Sequence, residues 1–148
     1  MKFFITAYRE LRSVSKTEYM LYCFIYGIWG IGMNGFGIWA EIARFTYWWQ
    51  IITCYILYMI PVSVLLRFYS FFTQYAYGLV AMGILEFLGY ALHTSYAYPN
   101  TILDQWFSPQ NFALSMALFF ALYIPLGNQV IRFLYQTIFL QKKSTPNS

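Results

Sequence analysis

The sequence predicts an all-α fold: an integral membrane bundle of four transmembrane helices, with both termini cytoplasmic and a short interfacial N-terminal helix. Three observations support this fold class. Apolar residues make up 60% of the 148 residues and charged residues only 9%, whereas soluble domains carry about 25% charged residues. Four apolar runs are long enough to cross a hydrocarbon core of about 30 Å. Lys and Arg residues gather near the ends of these runs.

The four predicted spans cover residues 19–40, 45–66, 70–96 and 109–134, so that residues 1–148 form one transmembrane domain. None of the runs alternates between apolar and polar residues, as the strands of a membrane β-barrel would. Helices also satisfy their backbone hydrogen bonds internally, as lipid requires. Ser15 and Glu18 have the spacing of a capping box before the first span. Pro61 and Pro125 lie inside spans, where we expect kinks.

The distribution of positive charge predicts the orientation. The charges concerned are Lys2, Arg9, Arg12 and Lys16 before the first span, Arg67 between the second and third, and Arg132, Lys142 and Lys143 at the end. Four crossings put these regions on one side, which the positive-inside rule assigns to the cytoplasm. The expected location is therefore a multi-pass position in the plasma membrane, or in the inner membrane of a Gram-negative bacterium.

The first residues predict a helix that lies on the inner membrane surface. Phe4, Ala7, Tyr8, Leu11 and Val14 fall on one face of such a helix, and the basic residues fall mostly elsewhere. This pattern is typical of interfacial amphipathic helices.

Several kinds of site are not supported by the sequence. The net charge of +4 is dispersed, so no basic cluster suits nucleic acid. Cys23 and Cys54 lie in apolar runs without zinc-site spacing, and we predict no metal site. No span contains a lysine that could hold retinal, and the single histidine, His93, cannot supply two haem ligands. The sequence identifies no cofactor.

One face of the first span is small or polar throughout. Residues three or four apart share a helical face, and this face consists of Cys23, Gly27, Gly30, Asn34, Gly37 and Glu41. Small residues let another helix approach closely, and an amide can bond across the contact. We therefore predict that Gly27, Gly30 and Gly37 form a helix-packing face.

Polar residues of three spans predict a cleft that opens toward the outer side. Glu86 and His93 are two turns apart on the third span, and Asn34, Glu41 and Gln50 belong to the outer halves of the first two. The inner halves of the spans contain fewer polar residues than the outer halves. These five residues are the candidates for binding a ligand or an ion, with Glu86 at the floor of the cleft.

Glu86 has three interpretations, because a carboxylate inside a span is costly and is a candidate functional group by default. It could be a proton or cation site, it could hydrogen-bond a quinone, lipid or pigment, or it could be an acid satisfied within the protein or by another subunit. Aromatic residues make up 24% of the chain. They suit either a flat ligand or helix packing, and packing is the more usual role of such residues.

We expect a non-enzymatic membrane protein that serves as a subunit or accessory protein of a larger complex. The alternatives are a small oligomeric carrier, proton-coupled through Glu86, and a binder of a quinone, lipid or pigment in the cleft. The expected partners are the lipid bilayer and either other membrane subunits or further copies of the chain. No catalytic residue is predicted, since no nucleophile or phosphate-binding motif has diagnostic spacing.

Overall fold

The computed structural model of the chain describes residues 2–99 and 109–140. This part contains five helices and two short strands. In chain order they are α1 (Lys2–Arg12), α2 (Lys16–Trp39), β1 (Ala43–Phe45), α3 (Trp49–Leu66), α4 (Phe71–Ala91), β2 (Ser95–Ala97) and α5 (Pro109–Tyr135), which continues as a π-helical turn, Gln136–Leu140.

Helices α2 to α5 confirm the all-helical class and the number of long apolar helices, since all four are long and apolar enough to cross a membrane. Their ends differ from the predicted spans. The third predicted span reaches residue 96, but α4 ends at Ala91 and is followed by β2. The second span was expected from residue 45, but Ala43–Phe45 is a strand and α3 begins at Trp49. Apolar composition does not mark these ends, because aromatic residues continue beyond them: Phe45, Tyr47 and Trp48 precede α3, and Tyr96 follows α4.

Helices α2 and α4 each begin after a serine whose side chain caps the helix N-terminus. The Ser15 hydroxyl accepts a hydrogen bond from the Glu18 backbone N–H at 3.1 Å, and the Ser70 hydroxyl accepts one from the Thr73 N–H at 3.4 Å. Each bond satisfies one of the donors that a helix N-terminus leaves unpaired. The capping interaction expected at the first span is therefore present.

Helices α2 and α4 end in the same way. In each, the residue after the C-cap has a positive φ: 51° at Glu41 and 53° at His93. The next N–H then bonds back into the helix, Ile42 to the Gly37 carbonyl at 2.9 Å and Thr94 to the Gly89 carbonyl at 3.0 Å. These are Schellman motifs, in which the left-handed residue redirects the chain.

A strand follows each of these motifs, and the two strands pair antiparallel. Arg44 lies opposite Tyr96, Ala43 opposite Ala97 and Phe45 opposite Ser95. The flanking bonds repeat on both sides: the Thr46 N–H donates to the Thr94 carbonyl at 3.3 Å, and the Tyr98 N–H to the Ile42 carbonyl at 3.0 Å. Segments 37–46 and 89–98 are thus related by a local two-fold axis through the Arg44–Tyr96 pair. The sequences of the two segments do not show this relation, because the matched positions share only one residue type, Gly37 with Gly89.

These contacts give the bundle two distinct ends. We call the end that carries β1 and β2 the sheet end. The other end carries α1, the α3–α4 turn and the last turns of α5, and we call it the arginine end after Arg67 and Arg132. The side chain of Arg132 donates to the Arg67 carbonyl at 2.8 Å. The two termini of the described chain therefore share the arginine end.

The core is formed by tight packing of α5 against α4 and by contacts of α2 with α3 and α5. A Cβ atom at Gly78 would lie 2.9 Å from Cδ1 of Ile124, and one at Gly127 would lie 3.0 Å from the Tyr26 hydroxyl. Distances this short require a neighbour to move. Glycine is therefore what allows α4 and Tyr26 to approach α5 so closely.

The centre of α3, Ile52–Met59, is π-helical. Pro61 is the second residue after this stretch and lies in the first of the final α-helical turns, Ile60–Leu66. Proline has no N–H and its ring clashes with the preceding turn. A π-helical stretch is one of the known ways in which a helix changes direction, so the perturbation expected at Pro61 is found on its N-terminal side.

Many aromatic residues are packed in the core, and two of the buried tyrosines bond to side chains of other helices. Tyr22 and Tyr26 are buried; the first bonds to Asn128 and the second to Ser63. Trp29 stacks on Tyr123 with ring centroids 4.2 Å apart. These contacts are those of helix packing, the more usual of the two roles considered for the aromatic residues.

Candidate functional site

A cavity of about 280 Å³ lies between α3 and α4 at the sheet end of the bundle. Its wall is mostly apolar and aromatic. The polar residues in the wall are Gln50, Thr53, Thr94 and Glu86, and the aromatic ones are Phe45, Trp49, Tyr55 and Phe120. We call it the Glu86 cavity, since Glu86 is its only acidic wall residue.

The cavity exists because α3 and α4 diverge. Residues Ile60–Leu66 of α3 pack against α4 near the α3–α4 turn, whereas the π-helical stretch makes few contacts with it. Two side chains bridge the gap: the Tyr58 hydroxyl donates to the Ala81 carbonyl at 2.7 Å, and the Gln50 amide donates to the Thr94 carbonyl at 2.7 Å. Glu86 lies between these bridges along α4.

Glu86 is half-buried, and its carboxylate makes no hydrogen bond or ion pair with any described residue. The hydroxyl of Tyr55, a buried residue, likewise makes no hydrogen bond within the described chain. Both groups keep some contact with open space, since the one fully buried side-chain polar atom without a partner in the described part of the chain is Nε1 of Trp29. Two groups in the wall of one cavity are therefore available to a ligand: an acceptor carboxylate and a phenol that can donate or accept.

Gln50 and Asn34 have structural partners. The Gln50 carbonyl oxygen accepts from the Tyr47 N–H at 2.7 Å while its amide holds Thr94, so this wall residue fixes the sheet-end loops. The Asn34 carbonyl oxygen accepts from the Phe45 N–H at 3.1 Å. Asn34 thereby supports β1 and does not line the cavity.

Glu41 and His93 do not occupy the helical faces that the sequence predicted for them. Both lie beyond the ends of their helices and are the positive-φ residues of the two Schellman motifs. Both are exposed, and neither lines the cavity. The expected common face of Glu86 and His93 is wrong for this reason: the helical spacing stops before His93.

The predicted packing face of α2 divides into close and loose contacts. A Cβ atom at Gly30 would lie 2.8 Å from Cδ2 of Tyr55, and one at Gly37 would overlap the Ala43 carbonyl oxygen. At Gly27 the nearest neighbour, Ile56, would be 4.0 Å away. Gly30 therefore admits a wall residue of the cavity, Gly37 admits the turn into β1, and Gly27 is not tightly packed.

The sequence analysis missed a buried hydrogen-bond network nearer the arginine end. The Asn128 carbonyl oxygen accepts from the Tyr22 hydroxyl at 2.7 Å. Its amide donates to the Gln74 side chain at 2.8 Å and to the Ser63 carbonyl at 3.0 Å. The expectation of few polar groups in these halves of the helices was wrong. The tyrosine hydroxyls and Gln74 were not counted there.

Arg67 fixes the arginine end. It is only 8% exposed. Its guanidinium donates to the Ser13 hydroxyl at 2.7 Å and pairs with the Glu10 carboxylate at 3.5 Å. This residue, interpreted from sequence only as an orientation signal, thus attaches α1 to the α3–α4 turn.

Within residues 2–99 and 109–140, no group of three or more His, Cys, Asp or Glu side chains could hold a metal ion. Cys23 and Cys54 are free thiols. A comparison of the chain with protein-family models, curated proteins and solved structures found no match.

Proposed function

We propose that this chain is a non-enzymatic membrane protein that binds a lipid-soluble molecule in the Glu86 cavity, through a cationic or hydroxyl donor group of that molecule. The observation that carries the proposal is which polar side chains in the cavity wall have hydrogen-bond partners and which have none. Glu86 and Tyr55 have no hydrogen-bond partner there, while the neighbouring Gln50 has two. A donor on the ligand would satisfy the carboxylate, which is costly to leave unpaired at this depth.

The size of the cavity limits what can enter. Ligand sites for whole small molecules usually measure about 300 to 1,000 Å³, and this cavity is at the lower limit. It would hold a ring or a polar head with a few carbons, and the remainder of the molecule would extend outside.

The surroundings of the cavity favour an entrance from the side of the bundle. Two wall residues, Trp49 and Leu88, are also exposed on the surface, at 47% and 52%. In an inserted chain these side chains would face lipid, so an acyl or isoprenoid tail could leave the cavity between α3 and α4. We therefore propose a lateral opening, where the sequence had predicted a cleft that opens toward the outer side.

The proposal is tested with a matched pair of carboxylate variants. Glu86→Gln removes the charge at nearly constant volume, and Glu41→Gln makes the same change at an exposed residue of the sheet end. Purified protein in mild detergent is titrated with dodecylamine, and bound mass is counted by native mass spectrometry. A charged hydrogen bond contributes about 1.5–3 kcal/mol, so Glu86→Gln should weaken retention about 10- to 100-fold and Glu41→Gln should not. Equal retention by the wild type and Glu86→Gln would rule the proposal out.

The same spectra address the alternatives. A stoichiometric foreign subunit in the wild-type particle would support the accessory-subunit prediction, and a particle made of several copies of this chain alone would support a homo-oligomer. The carrier alternative requires in addition that Glu86→Gln abolish uptake in vesicles.

A further inference from the structure

Helix α1 exposes a stripe that combines apolar and basic side chains. Ile5, Tyr8, Arg9 and Arg12 follow the spacing of three and four residues that defines one helical face. Ile5 is 58% exposed and Tyr8 is 64% exposed, and both arginines are exposed. The apolar face expected from the sequence is thus divided: Tyr8 points outward, whereas Val14 packs against the core of the bundle.

The opposite face of α1 is bound to the bundle. Arg67 holds both Glu10 and Ser13, and these two contacts fix which side of α1 points away. The pairing also neutralises Glu10, the only acidic residue of α1. The charge that remains on the outward stripe is therefore positive.

Three basic residues on or next to α1 have no anionic partner within the described chain. Arg9, Arg12 and Lys16 make no ion pair or side-chain hydrogen bond there. Glu18 is the other carboxylate near this end, and it follows Lys16 on α2. An unneutralised pair of arginines beside exposed apolar side chains is complementary to a surface that presents phosphates above acyl chains.

We infer that α1 is a docking surface for anionic phospholipid. Ile5 and Tyr8 enter the boundary between head groups and acyl chains, and Arg9 and Arg12 bind the phosphates. A shallow recess of about 450 Å³ formed by Ile5, Tyr8, Arg9, Arg12 and Ser13 gives room for a head group. Guanidinium groups are weakly hydrated and bind phosphate oxygens in a bidentate manner, and tyrosine is suited to this depth because its ring is apolar and its hydroxyl polar.

The test uses the full-length protein in mild detergent. It is titrated separately with dioleoyl phosphatidylglycerol and dioleoyl phosphatidylcholine, and bound lipids are counted by native mass spectrometry. The variants are Arg9→Gln and Arg12→Gln. Arg44→Gln is the matched control, because it removes one exposed arginine at the sheet end, where the guanidinium lies 5.2 Å from the centre of the Tyr96 ring.

The wild type should bind the anionic lipid at least fivefold more tightly than the zwitterionic one. Each α1 variant should lose about fivefold of the affinity for the anionic lipid, which corresponds to about 1 kcal/mol for a basic residue at an anionic surface. Affinity for phosphatidylcholine should not change. Arg44→Gln should behave as the wild type with both lipids.

Two results would overturn the inference. One is equal affinity of the wild-type protein for the two lipids, a measurement that needs no variant. The other is an equal loss of phosphatidylglycerol binding in Arg44→Gln and in the α1 variants, which would indicate that overall charge determines lipid binding and not α1. Elution as a single peak at the wild-type volume shows that each variant has folded.

Discussion

Replacing Asn128 with Leu should be among the most damaging single changes in this bundle that keep the number and branching of side-chain heavy atoms. Asn128 is 4% exposed and makes three hydrogen bonds to groups on three other helices, namely Tyr22, Ser63 and Gln74. Leu has the same branched side-chain skeleton as Asn, so the main cost arises from the lost hydrogen bonds and from the buried polar groups that are left unpaired. Side-chain hydrogen bonds in membrane proteins contribute about 0.6 kcal/mol on average and about 1.7 at most. The expected loss of stability is therefore about 2 to 5 kcal/mol.

The assay is equilibrium unfolding in mixed detergent micelles with increasing sodium dodecyl sulfate, followed by circular dichroism. Gln129→Leu is the matched control, because this neighbouring residue is exposed, and we expect it to change stability by less than about 0.5 kcal/mol. A loss no larger in Asn128→Leu than in Gln129→Leu would refute the reasoning. If Asn128→Leu is the more destabilising variant, a double-mutant cycle with Tyr22→Phe measures the contribution of the hydrogen bond between Asn128 and Tyr22. The expected coupling energy between the two changes is at least about 0.5 kcal/mol.

Three further changes test other contacts, the glycine and histidine variants by the same unfolding assay and the arginine variant by limited proteolysis. Gly30→Ala should destabilise by about 1–3 kcal/mol through overpacking, whereas Gly32→Ala, where a Cβ meets nothing within 4 Å, should be neutral or stabilising; equal effects would contradict the close packing of α2 on α3. Arg67→Met should detach α1, so that limited proteolysis cuts near residue 13 faster than in the wild type; an unchanged cleavage rate would show that α1 is held by other contacts. His93→Gly should stabilise by about 1 kcal/mol, because glycine adopts a positive φ without strain, and a loss of stability would instead indicate that the imidazole makes a contact of its own.

The number and approximate position of the long helices could be predicted because bilayer thickness sets a minimum apolar length. The ends of these helices were harder to predict. Glu41 and His93 adopt the left-handed conformation that usually calls for glycine, so a pattern search finds no stop signal at either position. The pairing of β1 with β2 brings together residues far apart in the chain, and a local pattern carries no information about such a partner.

For the candidate site, Glu86 and Gln50 were found because a charged or amide side chain inside an apolar run is visible without coordinates. Tyr55 was noted only as a deep tyrosine, since the sequence does not say which hydroxyls lack partners. The network around Asn128 escaped notice because its members lie on four different helices and include a backbone carbonyl. Whether a polar residue is satisfied depends on tertiary contacts, and spacing within one span does not reveal them.

The two-fold relation of the sheet end has a consequence for assembly. Because the register is symmetric about Arg44 and Tyr96, the two loops that meet there could equally come from different chains. Two copies that exchanged the half containing β2 would keep the same strand pairing and the same helix-ending bonds in each hybrid bundle. Exchange of an identical element between protomers needs no new interface, so this chain has a structural route to an intertwined dimer whose halves are each as complete as the monomer.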